Sequence, residues 1–149
     1  MRGAAVVRGA PGKEEKVSRL PRGQEYLKTG FTAEAAAAAR FRAYARRAES
    51  DGRANLAKAW LELAAEKDAL AIAQLEATGQ VRGEGHDLAT ALAEERYENE
   101  SLYPRMQREV DAATGEVFAS VMAAQERHAA RLRELSVELR RSLGDLPVA

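Results

Sequence analysis

The 149-residue chain contains no cysteine. That absence removes disulfides, thiolate zinc sites, iron–sulfur clusters and rubredoxin-type iron centres together. It suits a reducing compartment. Net charge is missing as well: 23 Lys and Arg balance 23 Asp and Glu. No bulk field therefore draws the chain to nucleic acid or to an anionic membrane. There is no apolar run of about 18 residues, the length that spans a bilayer as a helix. The N-terminus has no continuous apolar stretch, so a secretory signal is not expected. The expected location is cytoplasmic. Aromatic residues make up only 5%, and no β-branched alternation suggests a strand. What remains is rich in Ala, with long segments free of Gly and Pro, and this composition argues for an all-α protein.

Residues 1–30 differ from the rest. They hold five Gly and two Pro, and seven Lys or Arg against three Glu. A flexible basic N-terminal arm is expected there. Residues 31–149 suffice for one domain with a core. Four helices are expected in them. The first runs from about Thr32, as N-cap, to Ser50, and Gly52 stops it in a left-handed conformation. The second covers about Arg53 to Glu76. The third begins near Asp87 as N-cap and continues to about Val110, with Pro104 kinking it. The fourth covers about Glu116 to Leu143. Each carries one apolar stripe at three-and-four spacing. The stripes are Ala37, Ala38, Phe41, Tyr44, Ala45 and Ala48; Leu56, Ala59, Leu63, Leu70 and Ala73; Leu88, Ala91, Leu92, Leu102, Met106 and Val110; and Val117, Val121, Leu132, Leu135 and Leu139. Four such helices with short breaks predict a four-helix bundle.

Polar groups interrupt every stripe. Glu34 precedes Ala37 by three, and Glu66 follows Leu63 by three. Glu95 follows Leu92 by three, Glu98 precedes Leu102 by four, and His128 precedes Leu132 by four, with Gln125 beside it. Their heights agree within each hairpin. Ser50 lies midway between Glu34 and Glu66, and residue 113 midway between Glu98 and His128. Buried carboxylates are costly unless something neutralises them. A cation does so, and oxygen ligands with an imidazole suit iron or manganese. On this reading Glu95 and Glu98 face inward, while Glu94 and Glu100 are solvated.

The stretch "AEERYENESLYPRM" resembles the third-helix segment of the rubrerythrin family of the ferritin-like superfamily. "EAAAAARFRAYARRAESDG", "AEKDALA" and "AAQERHAARL" resemble its other helices. The resemblance covers roughly residues 31–135. It implies a ferritin-like fold and a di-iron centre, or one with manganese, held by Glu34, Glu66, Glu95, Glu98 and His128. It also implies reduction of peroxide or oxygen with an external electron donor, because a cysteine-free chain has no rubredoxin domain. Two positions depart from the family pattern: Ala69 stands where a histidine is usual, and Gln125 where a glutamate is usual. The alternative is a bundle that has lost catalysis and serves as a dimeric scaffold or interaction module. A homodimer is expected on either reading, with exchange of helical hairpins between copies as an addition; nucleic acid and membrane are not expected partners.

Each candidate also has a plain structural role. Glu34 would favour the dipole of a helix starting at Thr32. Glu66 would pair with an arginine. Glu95 and Glu98 would form a half-exposed charge seam, and His128 would bond to a carboxylate. Tyr97 and Tyr103 read as packing residues, and Trp60 as a helix-contact residue.

Overall fold

The structure is a computed structural model that describes residues 13–142 and 144–146. Its elements are α1 (Lys13–Ser50), α2 (Ala54–Ala77), α3 (Glu84–Tyr97), a π-helical turn (Glu98–Leu102), α4 (Tyr103–Gln107) and α5 (Ala112–Arg141). The protein is all-α, with no strand among the described residues. No helix among them is long and apolar enough to cross a membrane. The chain divides into two compact units at Val81 and Arg82. Each unit is a helical hairpin: α1 with α2, and α3 to α4 with α5.

The first hairpin closes on an alanine seam. From α2, Ala57, Ala64 and Ala71 are buried at seven-residue spacing. From α1, Ala37, Ala38, Ala45 and Ala48 are buried. Small side chains let the two backbones approach closely, toward the short end of the usual interhelical range. This differs from the expected α2 stripe. Leu56, Leu63 and Leu70 each precede a seam alanine by one residue and stay 44%, 45% and 52% exposed. A step of one residue turns the helix by about 100°, so the leucines lie beside the seam, not in it. Trp60 packs near the turn end of the hairpin, tilted against Phe41 and edge-on to Tyr44 at centroid distances of 5.0 and 5.1 Å.

The turn itself follows its sequence signal. Gly52 has φ of 71°. Its N–H donates to the Glu49 carbonyl at 2.9 Å, and the Arg53 N–H donates to the Ala48 carbonyl at 2.8 Å. This pair of bonds satisfies the last carbonyls of α1, and glycine reaches the left-handed region without a Cβ clash.

The first helix starts earlier than the expected Thr32. Residues 1–12 lie outside the described residues, but from Lys13 the chain is helix. Thr32 is no cap: its hydroxyl donates to the Lys28 carbonyl at 3.0 Å, as Thr29 donates to the Glu25 carbonyl at 3.0 Å. Hydroxyls bonded four residues back belong to a helix interior. The dipole role for Glu34 falls with the cap, since Glu34 sits 21 residues into α1.

The second hairpin buries the expected face of α3. Leu88, Ala91, Leu92, Glu95, Glu98, Leu102 and Met106 are all half-buried, while Glu94 and Glu100 are exposed. Asp87 is not the N-cap; that position is Gly83. Asp87 reaches back instead, accepting from the Arg82 and Gly83 N–H groups at 3.0 Å each. These bonds, first the one from Arg82 and then the His86 side chain, hold its pKa below the ordinary value. Asp111 caps α5, taking the Thr114 N–H and hydroxyl on its two oxygens, both at 2.9 Å. The Thr114 bonds likewise lower its pKa.

Pro104 explains the π turn. A proline in regular α-helix clashes with the carbonyl four residues back and lacks the N–H to bond it. Here the ladder widens by one residue just ahead of it, and the Tyr103 N–H donates to the Glu98 carbonyl, five back. The expected kink is thus a π bulge, and it begins at Glu98.

Candidate metal centre

In the second hairpin, α3 and α5 run antiparallel and set four polar side chains opposite one another. Gln125 is 6% exposed, the one buried polar residue among those described. Its Nε2 donates to Glu98 Oε2. One turn away, His128 Nδ1 lies 3.5 Å from Glu95 Oε1. The register puts Glu98 level with Gln125 and Glu95 level with His128. The sequence expectation had paired Glu98 with His128, because it placed the hairpin centre at residue 113. The observed turn is centred between one and two residues earlier, which shifts the pairing by one helical turn.

Burial divides this set. The Glu95 side chain is 25% exposed and that of His128 is 60% exposed. Three oxygens are shut off from solvent with no hydrogen-bond partner: Glu95 Oε2, Asn99 Oδ1 and Gln125 Oε1. Glu95, Asn99 and Gln125 line one groove of about 460 Å³ between α3 and α5. Asn99 went unnoticed in the sequence. Its signal was its place four residues after Glu95, which puts it on the same helix face.

The first hairpin holds the other two candidates, and it separates them. Glu34 is 24% exposed, and its Oε2 is paired with Lys67 Nζ at 2.6 Å. Glu66 is exposed, on the side of α2 away from the alanine seam. Lys67, one place on from Glu66, is the residue whose side chain reaches Glu34. The leucine stripe pointed to the exposed face of α2, so Glu66 does not meet Glu34. Beside this pair Arg42 binds Asp68 across the seam.

Among the described residues, no three His, Asp or Glu side chains cluster as a metal-holding group. The second hairpin by itself offers two carboxylates, an imidazole and two amide oxygens. The buried, unpaired Glu95 oxygen fits a cation, and the donor set of oxygens with one imidazole fits iron or manganese. The first hairpin fits less well, because Lys67 already supplies positive charge to Glu34. No family model matches the chain, and no curated protein matches its sequence.

Proposed function

We propose that this chain binds iron or manganese through Glu95, Glu98 and His128, as a rubrerythrin-like protein with an incomplete ligand set. One observation carries the reading: Glu95 has a buried oxygen with no partner, while its other oxygen faces the His128 ring. A carboxylate oxygen cut off from water and left unpaired costs free energy, and a cation removes that cost. A bound transition ion would supply Lewis acidity and one-electron chemistry toward peroxide or oxygen. Electrons would come from a separate donor.

The chain's own residues have definite tasks in this reading. Gln125 holds the Glu98 carboxylate by its amide N–H and so fixes the rotamer of one ligand. His128, near Glu95 on one side and open to solvent on the other, would supply the imidazole ligand from α5. The resemblance assigns Glu34 and Glu66 to the same centre. Glu34 would have to exchange Lys67 for the metal, and Glu66 lies on the leucine side of α2.

A homodimer accompanies the proposal. Leu56, Leu63 and Leu70 make an exposed apolar stripe at heptad spacing, the pattern of a helix that packs on a further partner. The connection from α2 to α3 supports an exchange of hairpins between copies. It has six residues, Thr78 to Gly83, which reach about 20 Å at most. The 24 residues of α2 extend about 36 Å. A ferritin-like crossover running the length of that helix is too long for this connection, which leaves a simple up-down-up-down order or, as we favour, hairpins exchanged with a second copy.

The Lys67–Glu34 pair favours a second reading, a metal-free dimeric scaffold or interaction module. A protein ammonium would neutralise Glu34 in place of a metal, and the Gln125 amide would satisfy Glu98 by a hydrogen bond. The substitution Lys67→Met separates the two. In the metal reading the variant keeps or gains metal affinity, because a competing cation has gone. In the scaffold reading it destabilises the chain and no metal rescues it.

A further inference from the structure

The α3–α5 hairpin carries a second groove, of about 520 Å³, farther toward its open end. Leu88, Ala89 and Leu92 from α3 and Val137 from α5 give it apolar walls, and Arg133 and Arg140 line it too. It lies on the flank turned away from His128. Val137 follows His128 by nine residues, and at about 100° each these carry it about 180° round α5. None of the proposed metal ligands lines this groove.

Its charge is one-sided. Arg133 and Arg140 stand seven residues apart on one face of α5, about 10 Å along the axis. No acidic residue lines the groove. Neither guanidinium has a partner among the described residues. The nearby acids of α5, Glu134 and Glu138, are turned to Arg131 instead, at 3.2 and 3.6 Å. Ser136, the other polar side chain in the lining, donates its hydroxyl to the Leu132 carbonyl at 2.8 Å. The walls are within reach of a ligand: Leu88 and Leu92 are half-buried, Ala89 is exposed and Val137 is 37% exposed. A concave, mostly apolar surface of this size with a few orienting polar groups is the make-up of a small-molecule site.

We infer that this groove binds a long-chain carboxylate, with its hydrocarbon against Leu88, Ala89, Leu92 and Val137 and its head group on Arg133 and Arg140. The planar guanidinium matches a carboxylate with two parallel hydrogen bonds. The apolar walls favour a chain over a bare anion, because each buried methylene adds to affinity. A second copy fits the charge less well. A docking helix would need acids seven residues apart to meet both arginines, and α1, α2 and α5 contain no such pair. The inference is independent of the metal reading.

The test is a calorimetric titration of the full-length chain with dodecanoate below its micelle concentration. Saturable binding of about one molecule per chain is expected, with octanoate weaker by at least about tenfold for its four missing methylenes. The double variant Arg133→Gln, Arg140→Gln should bind dodecanoate at least about tenfold more weakly, as the loss of charge-assisted bonds requires. Ala89→Phe, which fills the groove from an exposed position, should do the same. Arg131→Gln, whose charge belongs to Glu134 and Glu138, should stay within about twofold of wild type. Absence of saturable binding overturns the inference. So does wild-type affinity in the folded arginine double variant or in folded Ala89→Phe, and the arginine pair decides alone should Ala89→Phe fail to fold. Equal affinity for dodecyl maltoside, which has the chain without the charge, refutes the role of the arginines. Binding to phosphatidylglycerol vesicles that dodecanoate does not displace assigns the charge to a membrane surface and overturns the groove. Self-association that Ala89→Phe abolishes, by light scattering, makes a second copy the occupant and overturns it as well.

Discussion

Replacing Ala64 by leucine tests which face of α2 closes the first hairpin. Ala64 is 1% exposed, at the middle of the seam, with Ala57 and Ala71 one heptad to either side. Across from it the buried α1 residues are again alanines. Leucine adds three carbons where two backbones meet over methyl groups. Overpacking of this kind costs about 1–3 kcal/mol. The short seam allows little rearrangement, so the upper half of that range, about 2–3 kcal/mol, is expected. For a chain of this size each kcal/mol moves the melting temperature by about 2–4 °C, giving a fall of about 4–12 °C. Thermal unfolding followed by circular dichroism at the helix band measures it. Leu63, the preceding residue, is 45% exposed in the hairpin, so Leu63→Ala should leave hairpin helicity unchanged. An Ala64→Leu variant that melts at or above the wild-type temperature would refute the seam and return the hairpin core to the leucine stripe.

Gly30→Ala probes the early part of α1: its Cβ would fall 1.7 Å from Gln74 Oε1, the tip of a movable side chain. The tip can swing out, so the helix-propensity gain of about 1 kcal/mol should dominate. A small rise in melting temperature is expected, and no change at all would mean that residue 30 is outside a helix. Asp111→Asn tests the α5 cap through pH. The Asp111 pKa is lowered in the folded chain from an ordinary 3.8. Its charge-dependent stabilisation is therefore present above that value and is lost as pH falls through the lower, folded pKa. The wild type should be the more stable of the two at neutral pH, and the difference should fade below about pH 4; a difference that persists undiminished in acid would contradict the cap. If Glu66 joins the centre, as the resemblance implies, Glu66→Ala and His128→Ala chains each lose metal alone, and refolding them together should restore some binding when hairpins exchange within a dimer. A monomer at micromolar concentration by light scattering removes both dimer and exchange.

The helices were legible because their signals are local. Gly52 ends α1 and α2 fills Ala54–Ala77 within one residue of expectation, since a left-handed glycine and an unbroken run of helix formers need no tertiary context. The inward set of α3 was also legible, because Glu95 and Glu98 share their face with Leu88, Leu92 and Leu102. The face of α2 was not. Hydrophobicity points to Leu56, Leu63 and Leu70, but close backbone approach selects the alanines beside them, and periodicity alone weighs leucine above alanine. That substitution of faces brought Lys67, not Glu66, to Glu34. Asn99 and the Glu98–Gln125 pairing depend on a hairpin register that shifts when the turn moves by a residue or two. The π turn needed the backbone: Pro104 announces an interruption, but its form follows from how the ladder widens around it.

The metal content of the full-length chain, purified without chelator after growth in iron- and manganese-rich medium, tests the central proposal most directly. Elemental mass spectrometry should find on the order of one ion of iron or manganese per chain. Glu95→Ala should remove it while the helical signal persists. Folded wild-type protein with less than about 0.2 ion per chain, or metal retained in full by Glu95→Ala, would contradict the account and leave the scaffold reading in its place.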